Sequence, residues 1–279
     1  MNQIARNSTP QNQPSARDSA ETGSANQNVN EPPALTLPTG SGAIRGIDEK
    51  FQVNPATGSG AMTIPIATSP ARQGFGPQLA LSYDSGSGSG LFGLGWSLSL
   101  PQITRKTDKG LPTYQDSEES DVFILSGAED LVPVLVDNGD ELTRHTQPRT
   151  LDGTPYLIQR YRPRVEGLFA RIERWANQLT GEIHWRSITR DDVTTLYGET
   201  HESRIADPDD PLRIFSWLIC ESYDDKGNAI VYRYKAENST NVDRSQVHER
   251  NRTELSRSAN RYLKRIYYGN QTPRQLDEN

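Results

Sequence analysis

The chain has 279 residues, 30 Lys and Arg against 36 Asp and Glu, and a net charge of -6. This acidic balance argues against a generally basic nucleic-acid binder, and no run approaches the ~18 apolar residues that a membrane-spanning helix needs. The single cysteine, Cys220, excludes an internal disulfide and any zinc site built from several thiolates.

Residues 1–38 contain no Phe, Trp or Tyr, and ten of them are Asn or Gln. Such a segment cannot bury enough apolar surface to offset the entropy of ordering it, so it is predicted to be a disordered tail. It lacks the apolar core of a Sec signal, and any export is expected to use another route. Residues 39–279 are predicted to form one β domain, incomplete at its carboxy end.

Within that domain the apolar residues recur with period two. Leu79, Leu81 and Tyr83 alternate with Ala80 and Ser82, and Leu94, Trp96, Leu98 and Leu100 with Gly95, Ser97 and Ser99. Both runs read as half-buried strands. Val122–Leu125 and Leu131–Val136 are short apolar runs divided by Ser126-Gly127, and Pro133 marks the second as an edge strand or a broken one. Further strands are expected over 156–164, 170–175, 183–189 and 193–197. The clearest hairpin runs from Ile214 to Tyr223, turns over 224–228 and returns over 229–234, with Gly227 supplying backbone freedom. Residues 247–263 read as helix or irregular, followed by a strand near 265–268. Many short strands with frequent turns predict a mainly β architecture of antiparallel hairpins.

The motifs that could carry chemistry fail on their context. Gly88-Ser89-Gly90-Leu91-Phe92-Gly93 matches the G-x-G-x-x-G pattern. A dinucleotide site needs a helix to begin there. Period-two alternation through Gly95 and Trp96 to Pro101 follows instead, so the segment is predicted to be a bend packed beside Trp96. His201-Glu202 and His248-Glu249 begin like H-E-x-x-H, but Ile205 and Arg252 stand where the second His belongs. Asp224 resembles the start of a calcium loop, yet Lys235 occupies the position of its closing Glu. Cys220, within an apolar run, reads as a buried structural thiol. No catalytic, cofactor or metal residue is assigned. Residues 244–274 carry eight Arg or Lys against two Glu, a local +6 that leaves -12 for the rest of the chain. An RNA-binding segment is one reading. Pairing with an acidic surface of the same assembly is the simpler one.

Several motifs, in order, resemble one known family. Leu37-Pro38-Thr39-Gly40-Ser41-Gly42-Ala43-Ile44-Arg45-Gly46, Asn54-Pro55-Ala56-Thr57-Gly58, Gly74-Phe75-Gly76-Pro77 and Phe92-Gly93-Leu94-Gly95-Trp96 are similar to the SpvB-type amino-terminal domain. That domain also opens the B component of the insecticidal toxin complexes. Ile103-Thr104-Arg105-Lys106-Thr107, Leu125-Ser126-Gly127-Ala128-Glu129-Asp130 and Arg261-Tyr262-Leu263-Lys264-Arg265-Ile266 continue the likeness. Tyr223-Asp224-Asp225-Lys226-Gly227-Asn228 resembles one Rhs-type Tyr-Asp-x-x-Gly-Asn turn.

The resemblance implies a secreted, non-enzymatic structural piece of a toxin. In such complexes the B component joins a C component carrying Rhs repeats to form a hollow β shell around a toxic segment, and docks onto a pore-forming A component. Family members continue through a propeller and further shell strands. The ADP-ribosylating activity of the family belongs to a separate carboxy-terminal domain, and neither a Ser-Thr-Ser motif nor a Glu-x-Glu pair for it occurs here. Two other readings remain: a stand-alone binding module for a cell surface or export partner, and a remnant of an ADP-ribosyltransferase toxin without its catalytic domain.

Overall fold

Alternating side chains make most of this chain strand, and the pairing of those strands decides which faces are buried. The computed structural model describes residues 50–53, 58–126, 129–139, 141–165 and 169–275. The predicted tail, the motif at 37–46, residues 54–57 and Gly127 lie outside them.

The first strands, β1 (Lys50–Val53), β2 (Gly60–Ile66), β3 (Leu79–Asp84) and β6 (Trp96–Leu98), form a four-stranded antiparallel sheet in the order β1-β2-β3-β6. Between β3 and β6 a small hairpin, β4 (Ser89–Gly90) and β5 (Gly93–Leu94), forms its own two-stranded sheet. The run predicted as one strand from Leu94 to Leu100 is therefore split. Gly95 takes φ +79, which turns the backbone out of the extended region. Leu94 is consequently 71% exposed rather than half-buried.

A twelve-stranded sheet contains most of the rest. Its strands are β7 (Gln102–Arg105), β8 (Phe123–Leu125), β9 (Glu129–Pro133), β12 (Thr146–Leu151), β13 (Thr154–Pro163), β14 (Arg171–Asn177), β15 (Ile183–Ile188), β16 (Thr194–Tyr197), β17 (Arg204–Ala206), β18 (Ile214–Tyr223), β19 (Ala229–Ala236) and β20 (Arg261–Tyr268). β10 (Leu135–Asp137) and β11 (Leu142–Arg144) pair only with each other. The run from Leu131 to Val136 is thus broken at Val134. β9 lies between β8 and β13 rather than at an edge, with Pro133 as its last residue.

The order β16-β15-β14-β13-β9-β8-β7-β18 closes on itself, because β18 also pairs β16. The result is a β-barrel with additional strands, and closure removes the edges an open sheet would expose. β18 makes this possible. One of its edges takes β7 at Ser216–Leu218 and β19 at Glu221–Tyr223. The other takes β17 and β16.

Large apolar side chains from the ring fill the barrel. Phe123 lies 4.9 Å from Trp185 and 5.7 Å from Trp217, and Tyr161 lies 5.0 Å from Trp185. These are edge-on contacts that add to the burial of each ring. Ile103, Ile172 and Ile214 complete the packing at 0% exposure. The indole N–H of Trp217 donates to the Ile183 carbonyl at 2.9 Å, so its polar atom is satisfied inside.

Residues 247–263 match the expected helix or irregular segment only in part. They hold a short 3-10 turn at Val247–Glu249 and one helical turn, α1 (Glu254–Arg257), capped by Thr253. β20 then begins at Arg261, four residues earlier than the expected strand.

Candidate functional site

The Tyr223–Asn228 turn is where the sequence pattern and the geometry agree most closely. Asp224 organises it: Oδ1 accepts the backbone N–H of Lys226 at 3.0 Å and of Asn228 at 2.8 Å. Oδ2 accepts Nδ2 of Asn228 at 2.7 Å. Asn228 is 1% exposed, and its Nδ2 also reaches Oε1 of Gln73 at 3.1 Å. Gly227 sits at φ +71. A Cβ there would stand 2.8 Å from both the Arg274 carbonyl oxygen and Cβ of Pro273.

The segment after β20 closes over this turn. The N–H of Arg274 donates to the Gly227 carbonyl at 2.8 Å, and Nδ2 of Asn270 donates to the same oxygen at 2.9 Å. Oδ1 of Asn270 accepts the Ala229 N–H at 3.0 Å. The Arg274 guanidinium lies 3.9 Å from the centre of the Tyr223 ring and bonds Glu221 at 2.6 Å. Asp224 therefore organises the turn from within, while Tyr223, Gly227 and Asn228 hold it to neighbouring segments.

The glycine-rich hairpin is built differently. Gly90 packs tightly, since a Cβ on it would stand 2.5 Å from the Trp96 carbonyl oxygen. Gly95 is equally confined, with the Tyr83 ring 2.7 Å from its would-be Cβ. Gly93 needs its freedom for φ +107 alone, and Gly88 faces open space. Trp96 stacks at a tilt on Tyr83, 5.2 Å between ring centres. The bend beside Trp96 is present, and no helix follows it, so the segment lacks the helix N-terminus that a pyrophosphate site uses.

A third cluster was not singled out by sequence pattern. Arg105 is 1% exposed at one end of the barrel. Its Nε donates to the Ile214 carbonyl at 2.7 Å, its Nη1 reaches Asp116 at 2.5 Å and Asp121 at 2.8 Å, and its Nη2 reaches Asp116 at 3.0 Å. Arg174 joins through Asp116 at 3.0 Å and Gln159 at 2.9 Å. The backbone N–H groups of Thr113 and Tyr114 donate to Asp121. These bonds tie the 106–122 segment to the barrel. Burial alone would raise the Asp116 and Asp121 carboxyls. For Asp116 the bonds and charge of Arg105 and Arg174 outweigh it, and for Asp121 the backbone donors and Arg105 do, so both lie below the ordinary value. Arg105 alternates in register with Ile103 on a short strand. That is the signal by which it could have been found, but a charged residue at an inward position reads as polar.

The remaining candidates are structural in their surroundings. Burial pushes the Cys220 thiol up to about 11, and its Sγ donates to the Leu196 carbonyl. That is the opposite of an activated thiolate. Among the described residues, no group of three or more His, Cys, Asp or Glu could hold a metal ion. Of the basic segment, Arg244 pairs with Glu254, Arg252 and Arg257 pair with Glu237 and Glu249, and Arg274 pairs with Glu221. Part of its positive charge is thus neutralised within the chain.

Comparison with known proteins places this architecture. Residues 54–278 match the family described as SpvB, Salmonella virulence plasmid 65kDa B protein. The chain is 37% identical over 218 residues to the mono(ADP-ribosyl)transferase SpvB of Salmonella typhimurium, covering 77% of this chain and 36% of that protein. It therefore spans about a third of the length of the curated relatives it matches. The solved amino-terminal domain of the effector SpvB from Salmonella typhimurium strain LT2 superposes with a TM-score of 0.67, over 77% of this chain and 65% of that one. The TcdB2-TccC3 crystal structure gives a TM-score of 0.71 at 31% identity, over 88% of this chain and 11% of that one. The Photorhabdus luminescens Tc holotoxin pore gives 0.69 at 31% identity, again over 88% and 11%. The barrel, the clamped turn and every motif from Asn54 onward fall within the matched span, and the chain is a member of the SpvB family.

Proposed function

We propose that this chain acts as a non-enzymatic structural part of a secreted toxin, contributing β-sheet to a shell that encloses a toxic segment. The observation that carries this reading is the likeness to TcdB2-TccC3 over 88% of the chain. The local geometry supports it, because the turn residues are spent on holding segments together rather than on facing a cavity. Its partners would be a C component with Rhs repeats and a pore-forming A component. Sequestration would be its mechanism, and it would leave the producing cell with that assembly.

Cross-linking mass spectrometry on the assembly isolated from producing cells tests the proposal. The expected result is cross-links from this chain to further shell strands and to the enclosed segment. A chain recovered without any toxin component would overturn it in favour of a stand-alone binding module. Incubating the purified chain with labelled NAD and actin is expected to transfer no label. Transfer that depends on the chain would overturn the non-enzymatic reading.

A further inference from the structure

The buried arginines Arg105, Arg174, Arg204 and Arg257 each lie against a carboxylate, yet a set of cations on the last two strands does not. Arg233 and Lys235 of β19 and Lys264 and Arg265 of β20 are all exposed. None forms an ion pair with any described residue. Arg233 and Arg265 are direct cross-strand partners, so two like charges face each other on one side of the sheet. That arrangement destabilises a strand pair. Lys264 is the extra residue of a bulge, since Tyr234 pairs with Leu263 immediately beyond the Arg233–Arg265 pair. It adds a third charge beside them. Tyr267, 51% exposed, lies next to this group and accepts from Nη1 of Arg265 at 3.2 Å. No acidic side chain lies on the exposed face made by these residues of the two strands. The same hairpin ends the twelve-stranded sheet. β20 pairs β19 on one side and no described strand on the other.

We propose that the outer face and free edge of β20 form a docking surface for an acidic polypeptide strand. An added strand would take up the unpaired backbone groups of β20. Acidic side chains at every second position would meet Lys264 and Arg265 directly and lie one strand spacing, about 4.8 Å, further from Arg233 and Lys235, because residues i and i+2 of a strand share one face. Such a partner converts a repulsive cross-strand pair into a bridged one. A protein strand fits better than a nucleic acid, because the rest of the chain carries -12 outside residues 244–274 and would repel a long polyanion. The inference goes beyond the shell reading and holds for any assembly that supplies such a strand.

The test is a binding titration of the full chain with a peptide as long as β20 that alternates Glu and Val. Binding is expected at low salt, weakening strongly toward physiological ionic strength. Arg265→Glu should weaken it by about tenfold or more while raising the thermal midpoint of the free chain, since it relieves the repulsion with Arg233. Arg233→Gln should act in the same directions, more weakly. Lys109→Glu, an equal change of net charge away from the hairpin, should alter neither. A peptide N-methylated on alternate amides should lose binding, and unchanged binding of that peptide overturns strand addition. The proposal is overturned by no binding at low salt, or by binding that Arg265→Glu leaves unchanged. It is also overturned by tighter binding of oligouridylate or of phosphatidylserine vesicles than of the peptide. Self-association that the same substitution abolishes would assign the surface to a second copy of the chain and overturn it as well.

Discussion

The closed barrel and the four-stranded sheet before it are both antiparallel and both rich in alternating residues, but they are stabilised in different ways. The barrel buries Trp185, Trp217, Ile103, Ile172 and Ile214 essentially completely and seals one end with the Arg105 network. Among the described residues, no hydrophobic side chain of the four-stranded sheet reaches the same class of burial. Beside that sheet, Gly90 and Gly95 pack against a carbonyl and a ring instead. A closed ring gives every inward residue a partner from the opposite wall, whereas a small open sheet has one face to bury and shares it with solvent.

The largest contrast is expected at the barrel end. Arg105→Ala leaves Asp116 and Asp121 without the cation they share, with Arg174 still on Asp116 alone, and should cost about 3–5 kcal/mol in urea unfolding. It should also weaken the response to acid. In the unaltered protein both carboxyls lie below the ordinary value of 3.8. Their stabilisation is therefore complete above that value and is lost as pH falls through the lowered folded values. Without Arg105, burial is opposed only by Arg174 at Asp116 and by the Thr113 and Tyr114 N–H donors at Asp121, so both carboxyls shift upward and the variant should lose less stability than the parent as pH falls. Unfolding curves measured across that pH range decide the matter, and parallel curves for the two proteins would break the comparison.

Gly227→Val should come next, at roughly 2 kcal/mol or more, because it meets both a positive φ and the Pro273–Arg274 backbone. Gly93→Ala, with the same kind of φ but open space around it, should cost about 1 kcal/mol. A thermal-shift series that ranks them in the other order would show that the turn clamp is weak. Trp96→Ala should cost about 1–2 kcal/mol, well short of a Trp buried inside the barrel, since it forfeits one tilted ring contact with Tyr83. The smallest effect is expected for Gly88→Ala, within about 0.5 kcal/mol of the parent.

What could be read from the sequence follows the same division. The hairpin of β18 and β19 was legible because both strands alternate cleanly and the Asp224–Asn228 turn carries its own geometry. β13, β14, β15 and β16 were legible to within a residue or two at their starts, since burial on a closed wall imposes strong patterning. β2 was not, because Pro65 and its weak burial blur the alternation. β12 hides behind Pro148 on a strand paired along one edge only. β7 is four residues long and carries an inward arginine, and β17 is three residues long. Ring closure could not be read at all, since it depends on which distant strands β18 accepts. Of the site residues, Tyr223, Asp224, Gly227 and Asn228 were found by pattern. Their clamps, Gln73, Asn270 and Arg274, were not, because tertiary contact leaves no local trace.

The double role of β18 also sets the order in which this protein can be made. β7 must wait for Ser216–Leu218, more than a hundred residues later, before its second edge is covered. β16 waits for Ile219–Tyr223 of the same strand. During synthesis the wall from β7 to β16 therefore exists as an open sheet with two bare edges, and it becomes a barrel only when one late strand arrives. Such long-range closure is slow relative to local hairpin formation. The nascent chain is consequently most vulnerable to misassociation in the interval just before β18 leaves the ribosome.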